Sequence, residues 1–168
     1  ANDGTMKTGW QYIKAPKNVI QDSWDEGYNW FYLSKAGVPK KSSSNGTYKK
    51  SDMITIDNKS YLFDQYGRTI HGLLWLGEEL YFFGTKEQCT IQTGHFNISE
   101  TNGTTSSFFF ITSGTDKGKG LTGVYEDYLY YKGKLQKASS KQLFKVISMK
   151  VSGSNKNYVV NTSGILQK

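Results

Sequence analysis

The stretch Ser60–Trp75, SYLFDQYGRTIHGLLW, decides how the rest of the chain is read. Tyr61-Leu62-Phe63 is a short aromatic run that suits a pleated strand. Asp64-Gln65-Tyr66-Gly67 reads as a turn, because an Asp side chain can accept hydrogen bonds from its own backbone and Gly takes the positive φ that other residues resist. Arg68-Thr69-Ile70-His71 is the expected return strand. Gly72 breaks it, and after two leucines Trp75 supplies a large aromatic face. A single hairpin of this size is marginal in water, so a chain made of hairpins has to stack them to bury anything.

Weaker copies lie on both sides. Gly4-Thr5-Met6-Lys7-Thr8-Gly9-Trp10 repeats the second half of the unit, with two glycines five apart followed by an aromatic residue. The chain therefore starts inside a repeat, which predicts a C-terminal fragment of a larger protein, with residues 1–168 as one repeat domain. Residues 14–29, KAPKNVIQDSWDEGYN, interrupt the pattern as a long loop carrying Trp24. Trp30-Phe31-Tyr32-Leu33 resumes the aromatic run and Ala36-Gly37 its turn, whereas the Ser/Lys-rich segment 40–50 reads as an exposed connection. Further copies follow at Leu80–Phe83 with Gly94, at Phe108–Ile111 with Gly118 and Gly123, at Tyr128–Leu135, and at Tyr158–Leu166. Cys89 stands where a glycine is expected, five before Gly94.

Sustained spacing of apolar residues by three and four is missing, so little or no helix is expected. Hairpins are predicted near residues 30–40, 60–72, 80–94, 108–123, 128–137 and 158–167, and Leu143–Met149 reads as a further strand. The fold class is all-β: a solenoid-like array of stacked β-hairpin repeats with long loop insertions.

Composition agrees with that reading. Aromatic residues make up 15% of the 168 residues while total hydrophobic content is 36%, so rings carry most of the apolar surface. The 18 glycines turn the chain between them, and one cysteine cannot form an internal disulfide. A formal charge of +7 favours anionic polymers, but no nucleic-acid-binding motif accompanies it. No run approaches the roughly 18 apolar residues of a membrane helix.

These motifs resemble the cell-wall-binding repeats of Gram-positive bacteria, also called choline-binding or glucan-binding repeats. Their pattern is roughly G-W, then W-Y-Y-F, D-x-x-G and x-M-x-T-G. Gly4–Trp10 carries its end, Trp30–Gly37 its aromatic half, Ser60–Gly72 most of it, and Asn157–Lys168 a decayed copy. Ser60, Leu80 and Asn157 depart from the pattern by replacing the tryptophan that opens W-Y-Y-F. The resemblance implies a protein exported to the cell surface, whose aromatic residues from neighbouring repeats enclose a quaternary ammonium or offer flat faces to sugars. Its partners would be cell-wall polymer, through teichoic acid, choline or glycan, with no cofactor. By matched position, one ligand site would use Trp10 and Trp30 with Tyr61, and a second would use Trp75 with Tyr81 and Phe109.

Any of these rings can equally be the core of a thin repeat array, since Leu and Val are too few to fill one. Catalysis would have to pair Cys89 with His71 or His95, without a third orienting group, and the same three residues have no metal-ligand spacing. The expected function is therefore a non-catalytic binding module for envelope polymer or glycan. The alternative is a structural or adhesive spacer with no ligand of its own.

Overall fold

The computed structural model describes residues 4–14, 27–43 and 46–167, so Trp24 and most of the expected insert lie outside the described residues. The chain divides into two compact units, Ala1–Glu78 with Phe83–Ile91 and Glu79–Phe82 with Gln92–Lys168. Both are built from antiparallel strands. A single 3₁₀ turn at Lys50–Asp52 is the one helical element among the described residues.

In the first unit β1 (Gly9–Lys14) pairs with β2 (Tyr28–Leu33), in a register that sets Trp10 opposite Tyr32, Tyr12 opposite Trp30 and Lys14 opposite Tyr28. Side chains alternate across a strand, so these six residues share one face of the hairpin. Asn29 and Phe31 occupy the other face and are buried. β3 (Ile54–Ile56) and β4 (Lys59–Tyr61) form a second hairpin. Asp57 and Asn58 between them both take left-handed φ values, 49° and 61°, as a two-residue primed turn requires. β5 (Leu73–Leu76) follows. The core gathers Ile56, Tyr61 and Phe63, against which Trp10, Tyr32 and Ile54 pack.

The second unit starts with β6 (Glu79–Phe82). Its main sheet contains β7 (Gly94–Ser99), β8 (Thr105–Phe110), β9 (Gly123–Tyr125), β10 (Tyr128–Tyr131) and β11 (Lys134–Leu135), in the order β7-β8-β11-β10-β9. β12 (Phe144–Val151) and β13 (Ser154–Asn161) form a hairpin of two eight-residue strands, the first of which the β-branched run predicts. One face of that hairpin supplies Met149 and Val160 to a core with Leu129.

The repeat is visible in the turns. Asp64 Oδ1 accepts from the backbone N–H groups of Tyr66 and Arg68, at 2.9 and 2.8 Å. Ser34 Oγ accepts from Ala36 and Val38, and Asn161 Oδ1 from Ser163 and Ile165, at the same offsets of two and four. In each turn the residue three along is a glycine with positive φ, namely Gly37, Gly67 or Gly164. Cys89 confirms the other half of the pattern, because its φ of 50° lies in the left-handed region, as does that of glycine at the matching Gly67. A side chain there costs about 1–2 kcal/mol.

Two expectations are corrected. The turns at 30–40 and 60–72 are present, but each is closed by one bridge, Leu33↔Pro39 or Phe63↔Thr69, and so is the turn at 158–167, by Val160↔Leu166. Trp30–Leu33 forms its ladder backwards with β1, since a two-strand alternation fixes which face a side chain occupies without fixing the partner strand. Of the six expected hairpins, 128–137 has the ladder as drawn, through Tyr130↔Leu135 and Tyr131↔Lys134. Nor is segment 40–50 simply an exposed connection. Ser42 and Tyr48 are buried, and the Ser42 N–H donates to the Asp64 carbonyl at 3.1 Å. The Tyr48 hydroxyl is pushed up from its ordinary pKa by that burial and then by the Asp64 charge.

Candidate ligand-binding site

The first predicted set is brought together. β1 carries Trp10 and β2 carries Trp30, and their rings stand 6.3 Å apart at 85°, forming two walls of a corner. Tyr61, from the end of β4, lies 4.6 Å from Trp10 at 48°. Phe63 and Tyr32 support the same indole at 6.1 and 5.1 Å. Trp10 and Trp30 are partly exposed, whereas Tyr61 is buried, so the tyrosine lies beneath two indoles that each keep part of their surface in solvent. Burial first, and then the nearby Asp57 carboxylate, raises the Tyr61 hydroxyl pKa, which keeps the tyrosine neutral. A negative charge beside a ring corner favours a cation over the ring faces, where each contact contributes about 0.5–2 kcal/mol.

The second predicted set has a different character. Trp75 lies on β5 of the first unit and is 50% exposed. Tyr81, on β6 of the second unit, is only 2% exposed, and burial raises its hydroxyl pKa. Phe109, on β8, is also buried. Its ring stacks on Tyr125 at 4.1 Å and 21°.

That stacking belongs to a cluster the sequence reading did not find. The exposed imidazole of His95 stands edge-on to Phe109 at 4.7 Å, to Tyr125 at 5.7 Å and to Tyr130 at 6.0 Å. Its Nδ1 lies 3.3 Å from the Tyr130 hydroxyl. The register sets His95 opposite Phe109, as Trp10 is set opposite Tyr32, and both His95 and Trp10 follow a glycine of the second pair. Position after that glycine was the signal available. It is obscured because an imidazole replaces the indole.

Cys89 is not poised as a nucleophile. Burial raises its pKa, and the Sγ–H donates to the Lys86 carbonyl at 2.9 Å, so the thiol stays protonated. Among the described residues no three His, Cys, Asp or Glu side chains gather to hold a metal, and no helix is long and apolar enough to cross a membrane.

No protein-family model matches the chain, and no curated protein sequence does. Solved structures match. Choline-binding protein F from Streptococcus pneumoniae, in the presence of a peptidoglycan analogue, aligns with a TM-score of 0.53 at 19% identity over 98% of this chain and 42% of its own. The structure of CbpF in complex with ipratropium gives 0.53 at 19% over 96% and 43%. The chain spans about two fifths of the length of these structures. It shares the fold of these choline-binding proteins, which fits the divergent cell-wall-binding repeats read from its sequence.

Proposed function

We propose that the chain is a non-catalytic binding module of the choline-binding repeat type, its hairpins stacked as a solenoid, which attaches an exported bacterial protein to cell-wall polymer. The observation that carries this reading is the ring corner of Trp10 and Trp30 above Tyr61, drawn from two hairpins of the first unit. The two indoles take a quaternary ammonium by cation–π attraction, and the buried tyrosine sets their spacing. Trp75 is a further contact through its exposed ring, while Tyr81 and Phe109 act from the interior. One ring corner binds weakly, so attachment depends on several sites engaging the same polymer.

Sedimentation with purified choline-bearing cell walls tests the reading. A binding module goes down with the walls and is released by free choline. A spacer stays in solution.

A further inference from the structure

One face of the β12–β13 hairpin serves the core of the second unit, where Ile147, Met149, Val151, Tyr158 and Val160 pack around Leu129. By strand alternation Phe144 and Val146 point the other way, and they are 54% and 62% exposed. Leu143, just before the strand, is 80% exposed. All eight residues from Ser139 to Val146 are exposed, so these three apolar side chains form a bare patch rather than isolated surface positions. The charge around them has one sign. From Tyr128 to Lys168 the chain has eight lysines and no Asp or Glu. Lys141 and Lys145 flank Leu143 and Phe144 in sequence, and Lys150 shares the outward face with Phe144 and Val146; all three are exposed. Lys145 leaves the strand on its other side, but its long stem lets the ammonium reach the rim. Among the acids of the second unit, Glu79 and Glu100 are paired with Lys119 and Lys134. That leaves Asp116, Glu126 and Asp127 against the lysines of the hairpin and of the loop before it. Asp3, Asp22, Asp25 and Glu26 belong to the first unit and lie outside the described residues.

We propose that Leu143, Phe144 and Val146, with Lys141, Lys145 and Lys150, form an interfacial contact for an anionic lipid bilayer. The three apolar side chains enter the boundary between headgroups and acyl chains, and the ammonium groups stay at the level of the lipid phosphates. A soluble polyanion would satisfy the lysines but offers nothing to the apolar chains, so a lipid surface matches both halves of the patch. The contact lies on the second unit and does not depend on the ring corner of Trp10 and Trp30.

Co-sedimentation with sucrose-loaded vesicles tests the contact, comparing equimolar phosphatidylglycerol and phosphatidylcholine with phosphatidylcholine alone. Free choline is present throughout, so that the ring corner does not report on the choline headgroups. The wild type should go down with the anionic vesicles and stay in solution with the neutral ones. Lys141→Gln and Lys145→Gln should each weaken partition about fivefold. Leu143→Ser/Phe144→Ser should weaken it at least about tenfold. Both serines replace exposed side chains, so the fold and the choline response in tryptophan fluorescence should survive, and the two readings fail separately. Equal partition into both kinds of vesicle, or into neither, would overturn the proposal. Undiminished partition in Leu143→Ser/Phe144→Ser with loss in the lysine variants would make this a site for polyanions. A wild type that is dimeric by light scattering, beside a monomeric Leu143→Ser/Phe144→Ser, would make it a contact between copies of the chain. Either result would overturn the lipid assignment.

Discussion

Trp10 on β1 and Tyr61 at the end of β4 hold their ring centres 4.6 Å apart, so the hairpin bearing the first tryptophan is fastened to the next hairpin by the same indole that faces the proposed ligand. Structure and the proposed recognition therefore share one side chain. Trp10 also touches Trp30, Tyr32 and Phe63. Its replacement by Ala should cost about 3 kcal/mol, the lower end for a large aromatic in a core. Tyr12→Ala, at a half-exposed position, should cost under about 1 kcal/mol. Urea denaturation of the two variants checks the difference.

Gly67 and Gly72 have similar φ values, 90° and 83°, but different surroundings. A Cβ on Gly67 would lie 2.9 Å from Pro39 Cβ and 3.0 Å from the Lys40 carbonyl oxygen, whereas at Gly72 nothing lies within 4 Å. Gly72→Ala should cost the conformational term alone, about 1–2 kcal/mol. Gly67→Ala adds the clash with backbone and should be the more damaging by about 1–3 kcal/mol. Equal midpoints in thermal or urea unfolding would contradict the close approach.

Asp64 does two things at once. It closes the turn through Oδ1 and pairs with Arg68 Nε through Oδ2 at 2.5 Å. Asn161 closes the equivalent turn without a charge. Asp64→Asn keeps the turn closed and loses only the charge of a largely buried pair, so it should have the smaller cost, about 1.5 kcal/mol. Asp64→Ala leaves two backbone N–H groups unmet and should cost about 2 kcal/mol or more. Measured stabilities in that order support the shared turn.

Glu100 accepts from Lys134 Nζ at 2.7 and 3.0 Å and from Ser106 Oγ, and these bonds, Lys134 first, hold its pKa below the ordinary carboxylate value. A folded pKa below the unfolded one means that folding favours the ionised form. Its contribution to stability is complete above about pH 4.3 and is lost as the pH falls through the folded value. Unfolding midpoints measured from pH 6 down to pH 2 should fall less steeply in Glu100→Gln than in the wild type.

Much of this fold was legible because its marks are local. Asp64 before Gly67 is a turn by side-chain and backbone chemistry alone, and the glycines five apart made Cys89 stand out at a position whose φ proves to be left-handed. The partner of each aromatic strand was not legible. Trp30–Leu33 could extend forward to Pro39 or back to Gly9, and the period-2 pattern is the same for both. Burial inside polar sequence was also missed at Tyr48, where the covering groups are distant in the chain. At the site, matched position picked out Trp10, Trp30 and Tyr61, where both tryptophans of the motif survive, and the Trp10 ring lies against those of the other two. The cluster around His95 escaped because its members each depart from the motif, although the strand register preserves their places.

The most direct test of the account is a choline titration followed by tryptophan fluorescence in the wild type, Trp30→Leu and Trp75→Leu. Trp30 is partly exposed and Trp75 half exposed, so both variants should fold, which circular dichroism verifies. The account predicts saturable quenching in the wild type and in Trp75→Leu and its loss in Trp30→Leu. Undiminished quenching in Trp30→Leu, or a wild type that does not respond to choline, would contradict it.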